Sequence, residues 1–251
     1  MNITLLGHYD IASLYALERV MRAMPEHAYT VFLSGELTAP SAPDQRIADL
    51  ANADEQLCEQ LLAGELVGPI SEDLASFQEL TRPNSKDGLS QIMSLRPDLV
   101  VSIRYRRILQ PAFIRVPQYG VINLHSGILP DYRGVMATFW AMLAGEPQIG
   151  TTLHHIVDAG IDTGPVIEIN RRATRPRSSY LSNVIGLYAG GCNAVIRAVR
   201  TFSNKGTLPG TPQTGGGQYF GAPDRAAVTR YETADLALFD GNEYLEFVTR
   251  Q

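Results

Sequence analysis

The sequence predicts an α/β fold: a mostly parallel sheet with helices on both faces, followed by a short C-terminal extension. Three observations lead there. Apolar strand-like runs alternate with segments of helical spacing, the order that builds βαβ units. The run "NITLLG" is continuously apolar, as a strand covered on both faces must be. A length of 251 residues suits one sizeable domain, or one domain with a small appendage, and no internal repeat divides it.

The elements follow in order. Residues 2–7 read as a central strand. Residues 11–24 carry apolar side chains at helical spacing until Pro25 stops them, and "YTVFLSG" (29–35) reads as the second strand. From about 40 to 95 the text is helical and loop-like without sharp boundaries. "PDLVVSIRY" (97–105) is a buried strand, introduced by a proline that breaks the preceding helix. "GVINLH" (120–125) is another strand, and "FWAMLAGE" (139–146) is a short helix ended near Gly145, with Phe139 and Trp140 assigned to the core. "GTTLHHIV" (150–157) and "PVIEINRRA" (165–173) form a strand pair around an Asp-Gly turn. Residues 179–202 make a long apolar-faced helix despite the Gly190-Gly191 pair. After Lys205 a Gly/Pro-rich connector is expected to drape over the core, and "LALFDGNEYLEFVTRQ" to close the chain as a helix or strand. Fewer than 50 residues remain beyond that point, too few for an independent domain without staples.

Composition excludes several classes. A net charge of −5 provides no basic excess to neutralise nucleic-acid phosphates, so the Arg clusters at 104–107 and 171–177 are local features. The N-terminus begins a strand at once, without the basic and apolar regions of a signal peptide. No apolar run reaches the roughly 18–20 residues that span a bilayer. Cys58 and Cys192 make neither a disulfide framework nor a metal-ligand spacing, and both read as small buried apolar residues. A reducing cytoplasm is the expected setting.

The chemistry concentrates between Gly120 and Gly164. On an alternating strand Asn123 and His125 point to the same side. Two polar groups at the C-terminal end of a strand that should be apolar need partners or a job, and ligands of open α/β sheets gather beyond those ends. The loop "SGILPDYRG" is stiffened by Pro130, while Gly127 and Gly134 allow close backbone approach. Arg133 is suited equally to holding an anion or to pairing with Asp131 or another carboxylate. Asp162, between Gly160 and Gly164, is placed to reach and orient the His125 imidazole, with Asp158 the competing carboxylate. An amide, an imidazole and a carboxylate are the parts needed to move an acyl group onto an amine. His154 and His155 face opposite ways on a strand, so only one can join a given site, and zinc is not expected without companion ligands. There is no G-x-G-x-x-G phosphate loop and no G-x-S-x-G elbow.

These residues resemble the 10-formyltetrahydrofolate-dependent formyltransferases, the family of the glycinamide ribonucleotide, methionyl-tRNA and nucleotide-sugar formyltransferases. The resemblance rests on Asn123-Leu-His125, on Leu129-Pro130-Asp-Tyr132-Arg-Gly134 and on Asp162-Thr-Gly164, and runs from about Asp98 to Ile169. It implies a Rossmann-like catalytic domain over 1–204, with residues 205–251 as an extension packed on it. It implies catalytic roles for Asn123, His125 and Asp162. It also implies a 10-formyltetrahydrofolate cosubstrate, with no metal, lined by Arg107, Ile108 and Leu109 and closed by the loop carrying Asp158 and Ile161. Arg104, Tyr105, Arg106 and Arg133 are assigned to the acceptor, the arginines (with Arg107) being suited to its phosphates. Two departures stand out. The Gly150–Asp162 spacing is one residue longer than in relatives, which predicts a bulge in the loop. The chain also lacks the length for the separate C-terminal domain of the tRNA-acting members.

The implied partner is a small-molecule amine, first a nucleotide-linked amino sugar, then glycinamide ribonucleotide or a hydroxyornithine-type amine. A homodimer is left open, and no nucleic acid or membrane is expected. A formyltetrahydrofolate hydrolase and a non-catalytic binding module are the competing classes.

Overall fold

The computed structural model describes residues 1–35, 44–241 and 243. Its elements begin with β1 (Asn2–Gly7), α1 (Ile11–Ala23), β2 (Ala28–Leu33), α2 (Gln45–Leu62), α3 (Glu72–Ala75), β3 (Gln78–Glu79), α4 (Lys86–Leu95) and β4 (Leu99–Ile103). They continue with α5 (Pro111–Ile114), β5 (Val121–His125), β6 (Arg133–Gly134), α6 (Ala137–Leu143), β7 (Gln148–Ile156) and β8 (Val166–Ala173). The long α7 (Tyr180–Lys205), β9 (Tyr219–Phe220) and α8 (Arg225–Thr233) complete the set.

Among the described residues the main sheet has seven strands in the order β3-β2-β1-β4-β5-β7-β8. The first five run parallel, and β7 and β8 are antiparallel. β1 and β4 sit centrally and are buried from end to end apart from Asn2, which is why their sequences are apolar on both faces. α1 is capped by Asp10, whose carboxylate accepts from the Ser13 N–H at 2.8 Å, and it packs against α7. α7 runs from a Ser179 cap to Gly206 in a left-handed conformation. Its Gly190-Gly191 pair lies on the sheet: a Cβ on Gly191 would come within 2.8 Å of Thr151 Oγ1, and one on Gly190 would strike the Asn170 amide. Cys58 and Cys192 are buried.

Several boundaries differ from the sequence reading. α6 begins at Ala137 rather than 139, because Met136 turns into a left-handed conformation (φ 52°) and starts the helix there. The β7–β8 hairpin does carry an irregularity, but in β8: Leu153 faces Glu168 while His154 faces Val166, so Ile167 is the extra residue. The connector after Lys205 is structured. Its residues 219–220 pair with 133–134 as β9 and β6, and Thr211 bridges to Val166. A helix that the sequence reading did not foresee, α8, precedes the closing segment; its Ala227, Val228 and Tyr231 are buried and Tyr231 stacks on Phe139 at 4.4 Å. Of the segment 236–251 assigned to a last helix or strand, residues 242 and 244–251 lie outside the described residues.

Candidate active site

β5 and β7 bring the polar groups together. Antiparallel pairing sets Asn123 directly opposite His154, so their side chains emerge on one face as a cross-strand pair. The Asn123 amide donates to His154 Nε2 at 3.1 Å. The other ring nitrogen, Nδ1, lies 2.9 Å from the His155 carbonyl, which can only accept. These partners assign the proton to Nδ1. His155 faces away, toward the Leu208 carbonyl at 2.9 Å.

His125 sits at the end of β5, 8% exposed. Its Nε2–H donates to the Tyr132 carbonyl at 2.7 Å, which turns Nδ1 toward Asp162 Oδ2 at 3.5 Å. The turn depends on Gly127: a Cβ there would meet His125 Nε2 at 2.5 Å and the Tyr132 carbonyl at 2.6 Å. Thr152 pins the same loop, donating to the Gly127 carbonyl at 2.7 Å and accepting from the Leu129 N–H at 3.1 Å.

Asp162 occupies the left-handed region (φ 55°), which Asp tolerates better than most residues. From there its carboxylate reaches both imidazoles. Oδ1 lies 3.4 Å from His154 Nε2, and Oδ2 accepts from the Gly134 N–H at 2.8 Å. Burial opposes the charge, yet the His125 ring and the Gly134 N–H outweigh it and hold the carboxyl down at about 2. Asp162 is thus a buried carboxylate seated between two imidazoles. Asp158, by contrast, is exposed and accepts from the Gly160 N–H at 2.7 Å, a local turn.

The arginines mostly face protein partners. Arg104 (φ 61°) donates through Nε to both oxygens of Asp10, at 2.8 and 2.9 Å. Arg106 reaches Asp10 only at 3.4 Å and keeps 43% of its side chain exposed. Arg107 donates to the Ser34 carbonyl, and Arg133 to the carbonyl of Gly216 at 2.8 Å. Tyr105 donates to the Leu80 carbonyl. Nearby His8 is held neutral: burial first, then the positive charge of Arg106, lowers it to about 4. Leu109 is buried in the apolar layer, whereas Ile108 is 50% and Ile161 39% exposed. Asn84 braces the Arg107–Leu109 stretch, donating to the Ile108 carbonyl at 2.8 Å and accepting from the Gln110 N–H at 2.9 Å.

The structure therefore brings Asn123, His125 and Asp162 into one cluster, and leaves Asp158 in a local turn and Arg133 on the Gly216 carbonyl. It adds His154, absent from the sequence-based set. The available signal was its neighbour: of two adjacent histidines on a strand only one can face the site, but the cross-strand register that selects His154 is not written locally. Among the described residues no group of three or more His, Cys, Asp or Glu is placed to hold a metal ion, and no helix is long and apolar enough to cross a membrane.

Residues 68–175 match the formyl transferase family model. A methionyl-tRNA formyltransferase of Clostridium beijerinckii is 30% identical over 167 residues, 66% of this chain and 48% of that protein. The chain thus spans about half the length of that relative. The formyltransferase PseJ from Anoxybacillus kamchatkensis, in complex with UDP-4,6-dideoxy-4-formamido-L-AltNAc and tetrahydrofolate, shares the fold with a TM-score of 0.53. It is 21% identical, covering 96% of this chain and 93% of its own. Glycinamide ribonucleotide transformylase 1 from Symbiobacterium toebii aligns with a TM-score of 0.58 at 16% identity, covering 84% and 94% respectively. The match over 68–175 and the methionyl-tRNA formyltransferase relatives support a formyltransferase family for this chain, and the solved structures show that it shares their fold.

Proposed function

We propose that this protein transfers a formyl group from 10-formyltetrahydrofolate to the amine of a small molecule, with a nucleotide-linked amino sugar as the favoured acceptor. The observation that carries the reading is the Asp162 carboxylate held between His125 and His154 beside the Asn123 amide. Half-exposed Ile108 and Ile161 suit a flat apolar ring system, and the braced Arg107–Leu109 segment offers a rigid edge for it. When bound, the folate supplies the formyl group and its nitrogen takes up the proton released by the amine.

The chain's own residues do the rest. An amide carries two N–H groups, so Asn123 can hold His154 with one and offer the other to the oxygen on which charge develops. His125 has Nε2 committed to a carbonyl, so it contributes in its protonated form, through the charge of a ring whose Nδ1 is directed at Asp162. Asp162 orients that ring and, with a water, relays the proton from the amine. Residues 1–204 then serve as the catalytic domain and 205–251 as an extension, in a cytoplasmic setting. The amino-sugar acceptor is supported by the alignment with PseJ over nearly the whole chain, and by Arg106, which retains exposed guanidinium for a phosphate.

A coupled assay following folate deformylation across a panel of amines tests the proposal: amino-sugar nucleotides, glycinamide ribonucleotide and hydroxyornithine. Amine-dependent turnover with an amino-sugar nucleotide is expected. Formate release at the same rate without any amine would replace the transferase reading with a hydrolase.

A further inference from the structure

The Asp162 turn carries a strained backbone, and the cluster does not hold it alone. The segment after α7 crosses behind it. His155 Nε2–H meets the Leu208 carbonyl at 2.9 Å, and Thr211 and Val166 exchange backbone hydrogen bonds at 2.8 and 2.7 Å. These contacts fix residues 208–211 against the start of β8. Two residues on, the Gln213 side-chain amide donates from Nε2 to the Asp162 carbonyl at 2.9 Å and to the Gly164 carbonyl at 2.8 Å. One NH₂ group thus clamps both sides of Thr163. Asp162 holds φ 55° without being a glycine, a conformation that persists only where surrounding contacts over-determine it. Further along, Arg133 binds the Gly216 carbonyl, β9 pairs with β6, and Phe220 stacks on Tyr132 at 5.5 Å. Tyr132 is the residue whose carbonyl holds His125. The extension therefore grips both loops that face each other across the His125–Asp162 contact.

We infer that Gln213 is a positioning residue for the formyl-transfer site: its amide holds the Asp162–Gly164 turn so that the carboxylate stays within reach of His125 and His154. This rests on the reaction proposed above. Gln213 touches no reacting atom; it acts through the two carbonyls. Misplacing a catalytic group by about 1 Å can cost on the order of a hundredfold in rate, so loss of the clamp should be visible in kcat.

The experiment compares Gln213→Glu, Gln213→Met and Gln213→Lys in the full chain. Glu and Met match Gln in size but present no donor to the two carbonyls, whereas Lys retains donors. Gln213→Glu and Gln213→Met are expected to lower kcat roughly ten- to hundredfold with KM for the folate little changed. Gln213→Lys should stay within about threefold of the parent, since donation to the carbonyls is kept. A second readout is independent of turnover: ¹³C NMR titration of the Asp162 carboxyl, held at about 2 in the parent, should show it rising toward the usual carboxylate range in the Glu and Met variants. Parent-like kcat and an unmoved Asp162 titration in both variants overturn the inference. So does a Lys variant as impaired as the Met variant, since restoring a donor to the two carbonyls would then restore nothing. If the parent transfers no formyl group to any amine, the proposed function fails, and the Asp162 titration still decides the role of Gln213.

Discussion

Asp162→Asn is the sharpest perturbation because it removes a charge while keeping shape. The carboxylate is 11% exposed, flanked by His125 and His154 and bonded to the Gly134 N–H. Its carboxyl is held at about 2 against an ordinary 3.8, so the charged form is favoured in the folded protein by about 2 kcal/mol. The sign follows from linkage. A carboxyl depressed on folding stabilises above its unfolded value and loses that stabilisation as the pH falls toward the folded one. The contribution is thus complete above about pH 4 and disappears between about 4 and 2. The variant should lose about 2 kcal/mol at pH 7 in urea unfolding, and its stability should fall less steeply than the parent's below pH 4. Turnover should fall at least about a hundredfold, the scale of a lost acid–base partner. Equal stability at pH 7 together with parallel acid limbs would refute the seating of the carboxylate between two imidazoles.

Other outcomes can be checked alongside it. Asn123→Ala and His125→Ala should each lower kcat about a hundredfold or more, on the scale of a lost oxyanion donor, while circular dichroism stays native; near-parental turnover in either removes it from the mechanism. Gly127→Ala should destabilise by about 1–3 kcal/mol and depress activity, because its Cβ would enter the space of His125 Nε2 and the Tyr132 carbonyl; an unchanged Tm would show that the turn can relax. His154→Phe keeps the ring but leaves the Asn123 N–H short of its acceptor, at a cost of about 1–3 kcal/mol read by denaturant midpoint. Burial, then the charge of Asp10, raises Asp54 to about 7. A raised carboxyl loses stability as the pH climbs through that value, so Asp54→Asn should raise Tm more at pH 8 than at pH 4.

What could be read directly is instructive. The continuous apolar runs at 2–7 and 99–103 announce strands buried on both faces, and the alternation of strand and helix announces the parallel sheet. The period of two puts Asn123 and His125 on one side without any coordinates. The short strands β3, β6 and β9 were invisible, since two residues have no period to detect. α8 was hidden in a segment whose Gly/Pro-rich beginning suggested an irregular connector throughout. Asp10 shows the same limit for charges: the Arg104 cluster reads as free cation in the text, but a carboxylate 94 positions earlier faces it in space.

By itself the chain's order of residues determined the α/β architecture, the strand bearing Asn123 and His125, and the hairpin turn that presents Asp162, because each depends on local periodicity and turn chemistry. Only the tertiary structure decided that His154 rather than His155 joins the cluster, that Asp162 meets two imidazoles, and that Gln213 clamps its turn. Those choices follow from the register between β5 and β7 and from a strap returning more than 40 residues later. Both are set by packing between distant segments, where no local pattern in the sequence reaches.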